Sequence, residues 1–255
     1  MFTKETIRLI GLVEEQTGYK VQTGTTQDAS SDAQMLSAQP DHPMHVINVS
    51  EKFLGYADYI VALQCAILLA MWSHPRGIPK LEVVPDAFGE AVRKAMTWSG
   101  LAKLGSARAR KAAEMMVNGL MHQLRSMPAE ILAVQYCHAK CPSLRGLQND
   151  YVSENMRRNS GALSPAIKEL TPPAIYDKSI TMNAAFAYGW STVSGSETAL
   201  LPYKAVGADQ MAKVLIDLLQ EQTGTMGERM VATVDAWAEK LELRSLYQWG
   251  YRERR

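Results

Sequence analysis

The sequence predicts a mainly helical α+β protein, with a small N-terminal sheet followed by an all-helical C-terminal half. Three observations predict it: two strand-like segments fall within the first 50 residues, one long apolar segment follows them, and helical periodicity dominates beyond residue 84. The 255 residues, 47% apolar and 21% charged, are typical of a globular protein. We expect an α+β domain over residues 1–100 and a helical domain over residues 101–255 packed against it.

The N-terminal elements are predicted from their periodicity and from the residues that end them. Apolar residues recur at helical spacing from Glu5 to Gln16, and Gly18 then ends this helix as a C-cap. Alternating apolar and polar residues predict strands over Tyr19 to Thr23 and Met44 to Val49. Between these strands, the composition predicts a brief helix over Asp28 to Ala38.

The longest apolar run, Tyr59 to Trp72, has about 14 residues, fewer than the roughly 20 that a bilayer requires. We therefore predict a buried helix over Tyr56 to Trp72. Lys80 to Val84 lies between two prolines and is predicted to be an edge strand or an extended loop. The aromatic C-terminal stretch, residues 237–251, is expected to dock back on the core. Further helices are predicted over residues 87–98, 102–125, 128–140, 144–158, 179–193, 208–222 and 228–241.

Charge and cysteine content narrow the function classes. A formal net charge of +1 argues against non-specific nucleic-acid binding as the main role, although a local basic patch stays open. Three cysteines, an odd number, and an N-terminus without a basic and apolar leader favour a reducing cytoplasm, with no membrane attachment. The sequence has no phosphate-binding loop and no Gly-x-Gly-x-x-Gly, so a nucleotide-dependent enzyme is not supported, and it has no nucleophile elbow of the form Gly-x-Ser-x-Gly.

The segment from Ala57 to Leu69, ADYIVALQCAILL, resembles the active-site helix of the ImmA/IrrE-type zinc metallopeptidases. In that family, a tyrosine or threonine and several apolar residues lead into Ala-His-Glu-x-Gly-His, followed by Ile-Leu. The preceding helix, the Thr-Gly-Tyr with its short strand and the next strand are also similar. The resemblance covers roughly residues 5 to 75. It implies a zincin-like helix under a short sheet, beside a groove that in the family accommodates a peptide.

The residues that perform zinc chemistry in such a helix are replaced in this sequence. Two histidines one helical turn apart bind zinc, and the glutamate between them takes a proton from the zinc-bound water. The resemblance aligns these three residues with Leu63, Gln64 and Ile67. None of the three can act as zinc ligand or as general base in this role, because Leu and Ile have no lone pair and a neutral amide is not a base. Glu82 and Glu90 are candidates for the family's third ligand, but one carboxylate does not make a zinc site.

Two other groups of residues are weak candidates for a metal site. Cys137, His138 and Cys141 are the one cluster of soft ligands, but the histidine is turned about 100° away from the two cysteines on a helix, and no second cysteine pair completes the set. We favour packing of the cysteines in the core over metal binding. His42 and His45 span a proline, and we interpret them as solvated loop histidines.

The start of the long central helix is basic, with Lys103, Arg108, Arg110 and Lys111 as possible partner-binding residues. Such residues usually form a solvated face. The sequence thus predicts a non-catalytic pseudo-peptidase that serves as a binding or regulatory protein, without a cofactor, and with a protein partner or a second copy of itself. The resemblance implies a prokaryotic cytoplasmic assembly. Two alternatives remain open: an active metal-dependent hydrolase with an unrecognised site, and a nucleic-acid-binding subunit that uses the basic face of residues 103–125.

Overall fold

In a computed structural model, which describes residues 2–254, the chain is a mainly helical α+β protein with a small N-terminal sheet, as the sequence predicts. The α-helices are α1 Lys4–Thr17, α2 Ala57–Ser73, α3 Pro85–Met96, α4 Ser99–Ala102, α5 Ser106–Lys140, α6 Arg145–Ser160, α7 Pro165–Leu170, α8 Pro173–Ser194, α9 Leu201–Lys204, α10 Asp209–Glu221 and α11 Met226–Lys240. The strands are β1 Lys20–Thr26, β2 Ala33–Leu36, β3 Met44–Ser50, β4 Ile78–Val83 and β5 Tyr247–Arg252.

The N-terminal sheet has three strands, with β3 in the middle. β3 runs parallel to β1 and antiparallel to β2. α1 ends where predicted, because Gly18 adopts a left-handed conformation with φ of 75° and donates its N–H to Glu14. The N-terminal helix and the two predicted strands are therefore confirmed, although β1 extends further than the sequence suggests.

The predicted helix over Asp28 to Ala38 is wrong, because this segment contains strand β2. Ala, Gln, Met and Leu favour helices when considered singly. In the fold, Ala33 and Met35 instead pack on the core while Gln34 and Leu36 face outward, and β3 supplies the backbone partners. Pairing with a neighbouring strand thus outweighs the local helical preference.

Helix α2 is the centre of the core, as its composition predicts. It packs against α1, α5, α11 and β3, and Tyr59, Ile60 and Leu68 are among its fully buried residues. Residues Glu51–Ser73 are long and apolar enough to cross a membrane by composition alone, but 61% of the most apolar window is buried inside the fold. The segment is accommodated as a core helix.

The two helices predicted over residues 102–125 and 128–140 are wrong as separate elements, because α5 runs through Pro128 without ending. A proline inside a helix removes one backbone hydrogen bond and costs about 3 kcal/mol. Here Leu124 and Ile131, on either side of the proline, are both buried in the core, and this packing holds the helix together. The other predicted helices are present, and α8 begins earlier than expected, with Pro173 in its first turn.

The segment predicted as an edge strand or loop is strand β4, and it pairs with β5 in a second, antiparallel sheet. The aromatic C-terminal stretch docks back on the core as expected: Trp237 and Tyr247 are buried. Beyond β5, the Arg254 guanidinium donates to the carbonyls of Trp72 and Pro75, both at 2.9 Å. The C-terminal segment therefore contacts the end of α2.

Candidate functional site

A cavity of about 570 Å³ lies between the N-terminal sheet and α5, and we call it the cleft. Strand β2 lines one side through Ala33 and Met35, and α2 forms the floor. The remaining lining comes mainly from α5, from β4 and from Trp249 of β5. This volume falls in the range of about 300–1,000 Å³ that is typical of ligand sites.

The floor of the cleft is the one stripe of α2 that the core leaves open. From Tyr59 to Trp72 the helix is buried except at Gln64, Ile67 and Met71, which are half-buried. These three residues all line the cleft, together with Leu63. Positions three and four apart share a helical face. Leu63, Gln64 and Ile67, the three positions singled out in the sequence, therefore lie side by side at this floor, and Gln64 is its single polar group.

Strand β2, which lines the cleft, has one edge without a partner strand among the residues that the structure describes. Ser50 donates its N–H to the Asp32 carbonyl at 3.0 Å, and these residues are opposite each other in the antiparallel register. Hydrogen-bonded and non-hydrogen-bonded pairs alternate in such a ladder. The N–H and C=O groups of Ala33 and Met35 therefore point away from β3. No other strand in residues 2–254 pairs with this edge.

One end of the cleft, which we call the inner end, is defined by Asp32, Tyr151 and Glu130. The Tyr151 hydroxyl donates to the Asp32 carboxylate at 2.8 Å, and the Arg158 guanidinium donates to it through both terminal nitrogens, one of them at 2.7 Å. The Tyr151 ring lies 5.4 Å from the ring of Tyr59, near the start of α2. The charge of Asp32 is thus neutralised within the protein.

Glu130 is the other carboxyl group at the inner end. It lies on α5, half-buried beside the apolar side chains of Val134 and Phe186, which also line the cleft. Burial, followed by the nearby Asp32 carboxylate, raises the pKa of Glu130 to about 7, against a lowering by a hydrogen bond from Ser126. Within residues 2–254, Glu130 forms no ion pair. It is therefore about half protonated at neutral pH.

His122 and Arg125, one to two helical turns before Glu130 on α5, also line the cleft, together with Lys80 of β4, and we call these three residues the outer end. All three side chains are exposed. Lys80 Nζ lies 3.2 Å from Glu82 Oε1, and Arg125 Nη2 lies 3.4 Å from His122 Nδ1. Burial of the ring, and then the charge of Arg125, lower the pKa of His122. The two ends of the cleft thus differ in charge, acidic inside and basic outside.

The predicted cluster of soft ligands lies outside the cleft. Cys137 and Cys141 are buried free thiols, and His138 turns away from them to bond to Gln148 through Nδ1 at 3.2 Å. The hydrogen bond between the two thiols raises the pKa of Cys137 and lowers that of Cys141, while burial raises the pKa of Cys65 to about 12. In the described part of the chain, no three His, Cys, Asp or Glu side chains gather as metal ligands.

The predicted basic residues are exposed at α5 and just before it, away from the cleft: Lys103, Arg108, Arg110 and Lys111. Lys103 Nζ lies 3.7 Å from Glu169, and Arg110 Nε lies 3.0 Å from Glu114. Two of the four charges are therefore compensated locally by carboxylates.

His45 is not a solvated loop residue, contrary to the interpretation from sequence. It lies on β3 and is fully buried. Its Nδ1 accepts the N–H of Ala38 at 3.1 Å, and its Nε2 lies 3.0 Å from the Thr17 hydroxyl. The prediction failed because Pro43 suggested a loop, whereas β3 begins at Met44.

Sequence reasoning missed both Glu130 and the exposed edge of β2. The carboxyl groups in the cleft belong to Asp32 and Glu130, whereas Glu82 and Glu90, the candidates named from sequence, do not line it. One signal was available: Glu130 is the sole charged residue between Met127 and Cys137, in an otherwise apolar helix.

Searches against protein-family models, curated proteins and solved structures give no match.

Proposed function

We propose that this protein is a non-catalytic binding protein whose cleft takes an extended segment of a protein partner as an added strand beside β2. The observation that carries the proposal is the edge of β2, where the backbone groups of Ala33 and Met35, two residues that line the cleft, point away from their own sheet. Strand addition of this kind uses the free backbone groups of a sheet edge for affinity and neighbouring pockets for side-chain selection.

The floor of the cleft supports this binding role. Leu63, Ile67 and Met71 offer apolar contacts to alternate side chains of an extended segment. Gln64 offers one amide, which can donate and accept hydrogen bonds but does not act as a base. We therefore propose a pseudo-peptidase, in which the floor holds a segment without cutting it. The resemblance to the ImmA/IrrE-type family, which is part of this proposal, suggests a regulatory role in a prokaryotic cytoplasm.

A backbone-specific substitution tests the proposal. Ala33→Pro removes the N–H that points away from β3 while leaving the ladder between β2 and β3 intact, and proline is tolerated in an edge strand at such a position. Ala33→Ser is the matched control, because it keeps the N–H. Ile67→Arg fills the floor, and Met115→Arg, at a position that is 66% exposed on α5, is its control.

The probe is a displayed library of random twelve-residue peptides, selected against the full chain. We expect selected peptides to bind Ala33→Pro about three- to tenfold more weakly, the worth of one hydrogen bond, and to lose binding to Ile67→Arg. Both control variants should bind like the wild type, and circular dichroism should show that all four are folded. Failure to select any peptide, equal binding to all variants, or cleavage of a selected peptide by the wild type would each overturn the proposal.

A further inference from the structure

The charges at the inner end are unequally compensated. Asp32 is held by Arg158 and Tyr151, so its charge is satisfied. Glu130 faces the same space with a hydrogen bond from Ser126 and without a cation. A carboxylate placed among apolar side chains is unfavourable until an opposite charge joins it. The inner end therefore has room for one cation that the described residues do not supply.

The groups that face Glu130 come from three elements besides its own. They are the Asp32 carboxylate before β2, the hydroxyl of Tyr151 on α6 and, further in, the hydroxyl of Tyr59 on α2. None of these three is a cation. The cations of the cleft, Lys80 and Arg125, belong to the outer end. A ligand cation at Glu130 thus meets acidic and neutral oxygen atoms only.

We propose that the segment bound in the cleft carries a lysine or arginine whose cationic head pairs with Glu130, and an acidic residue three or four positions away that faces the outer end. This proposal rests on the proposed function, because it specifies the side chains of the segment that β2 binds. Its geometry follows from α5, which runs the length of the cleft from His122 to Glu130.

The spacing between the two charged positions is set by the helix. The cationic head of Arg125 lies beside His122, with Nη2 3.4 Å from Nδ1. His122 precedes Glu130 by eight positions on α5, which corresponds to about 12 Å at 1.5 Å per residue. An extended strand advances about 3.3 Å per residue, so the same length spans between three and four residues. The two ends of the cleft are therefore matched by one short segment and do not require two separate ligands.

Binding of the cation is coupled to the proton on Glu130. Because Glu130 has a raised pKa of about 7, pairing with a cation requires the protonated fraction to release its proton. Affinity therefore increases with pH, by about tenfold between pH 6 and pH 8 if the bound carboxylate stays ionised. Of the other groups facing Glu130, Asp32 is ion-paired and the two tyrosines have raised pKa values. The two tyrosines therefore do not titrate in this interval.

The test uses capped octapeptide libraries in which one position is fixed as lysine, norleucine or glutamate and the rest are random. Wild-type protein should bind the lysine series at least tenfold more tightly than the norleucine series, and glutamate three or four positions from the lysine should improve binding further. Glu130→Gln keeps the shape of the side chain and should abolish both the lysine preference and the pH dependence. Glu114→Gln, on the same helix but outside the cleft, should keep both.

The outcomes separate this proposal from the one on which it rests. Peptides that depend on the N–H of Ala33 but show no preference for lysine would overturn the charge proposal alone. A lysine preference that persists in Glu130→Gln, or an affinity that does not change with pH, would also overturn the charge proposal alone. Absence of any peptide that depends on the cleft would overturn both proposals.

Discussion

Protonation of His45 should destabilise the fold at mildly acidic pH. The ring is fully buried between β3 and the end of α2, where it lies 5.5 Å from the ring of Trp72. Because Nδ1 accepts the N–H of Ala38, that nitrogen carries no proton, and the proton of the neutral ring lies on Nε2, toward Thr17. A second proton on Nδ1 would face the N–H of Ala38. The folded state therefore favours the neutral ring.

The size of the effect follows from the pKa of His45. Burial, and then the charge of Arg252, lower this pKa from 6.5 to about 4. Each step of one in pKa corresponds to about 1.4 kcal/mol, so the full effect is about 3 kcal/mol. The stabilising contribution is complete above pH 6.5 and is lost as the pH falls towards 4, because the unfolded chain then binds a proton that the folded chain does not. At pH 5 the loss is about 2 kcal/mol.

Urea unfolding at pH 8, 6 and 5, followed by circular dichroism, measures this loss. His45→Asn keeps an acceptor near the Ala38 N–H but does not titrate. Between pH 8 and pH 5, the free energy of unfolding should therefore decrease by about 2 kcal/mol less in this variant than in the wild type. Other titrating groups, including Glu130, act equally in both proteins and cancel in the difference. Equal pH dependence in wild type and His45→Asn would refute the reasoning.

Two further substitutions test contacts around the cleft and the core. Arg158→Met should lower the free energy of unfolding by about 1–3 kcal/mol, because it leaves the half-buried carboxylate of Asp32 without its cation. Arg157→Met, which breaks an exposed pair, should change the free energy of unfolding by less than about 1 kcal/mol. Denaturant titration of both variants measures the difference. Gly227→Ala should destabilise by about 1–3 kcal/mol or more, because the added Cβ would lie 2.5 Å from the Ala70 carbonyl oxygen. At Gly119 an added Cβ would meet nothing within 4 Å, so Gly119→Ala should leave the melting temperature unchanged or raise it. Equal melting temperatures of the two glycine variants would contradict the close approach of Gly227 to Ala70.

The elements that the sequence predicted correctly are those whose pattern is set by burial on one face. α1 and β3 show their apolar periodicity in the sequence, and Gly18 marks the end of α1 directly. α2 was identified differently, from a continuous apolar run that is buried on nearly all sides. β2 was missed because its four residues are good helix formers, and only the partner strand, which lies eight residues further along the chain, makes them a strand. The local pattern of such a short edge strand carries too little information to identify it.

Part of the candidate site could be identified from the sequence. Leu63, Gln64 and Ile67 could be placed on one helical face from their spacing, and that face does line the cleft. Glu130 could not be assigned to the same site, because Pro128 suggested a helix break. In addition, the sequence between α2 and Glu130 does not indicate how α2 and α5 are oriented relative to each other. Its position depends on α5 remaining continuous, which is a consequence of tertiary packing.

The short edge of β2 also indicates why the charged ends of the cleft matter for binding. Ala33 and Met35 offer at most two N–H and two C=O groups, each worth about 1 kcal/mol in net terms, and these groups can pair equally well with a segment shifted by two residues. A backbone ladder alone therefore fixes neither the register nor the direction of the segment. An acidic group at one end and basic groups at the other favour a single register, because a shifted segment would leave Glu130 without its cation. In the proposed complex, the two ends of the cleft therefore fix the register of the segment, the apolar floor contacts its side chains, and the edge of β2 supplies affinity without sequence preference.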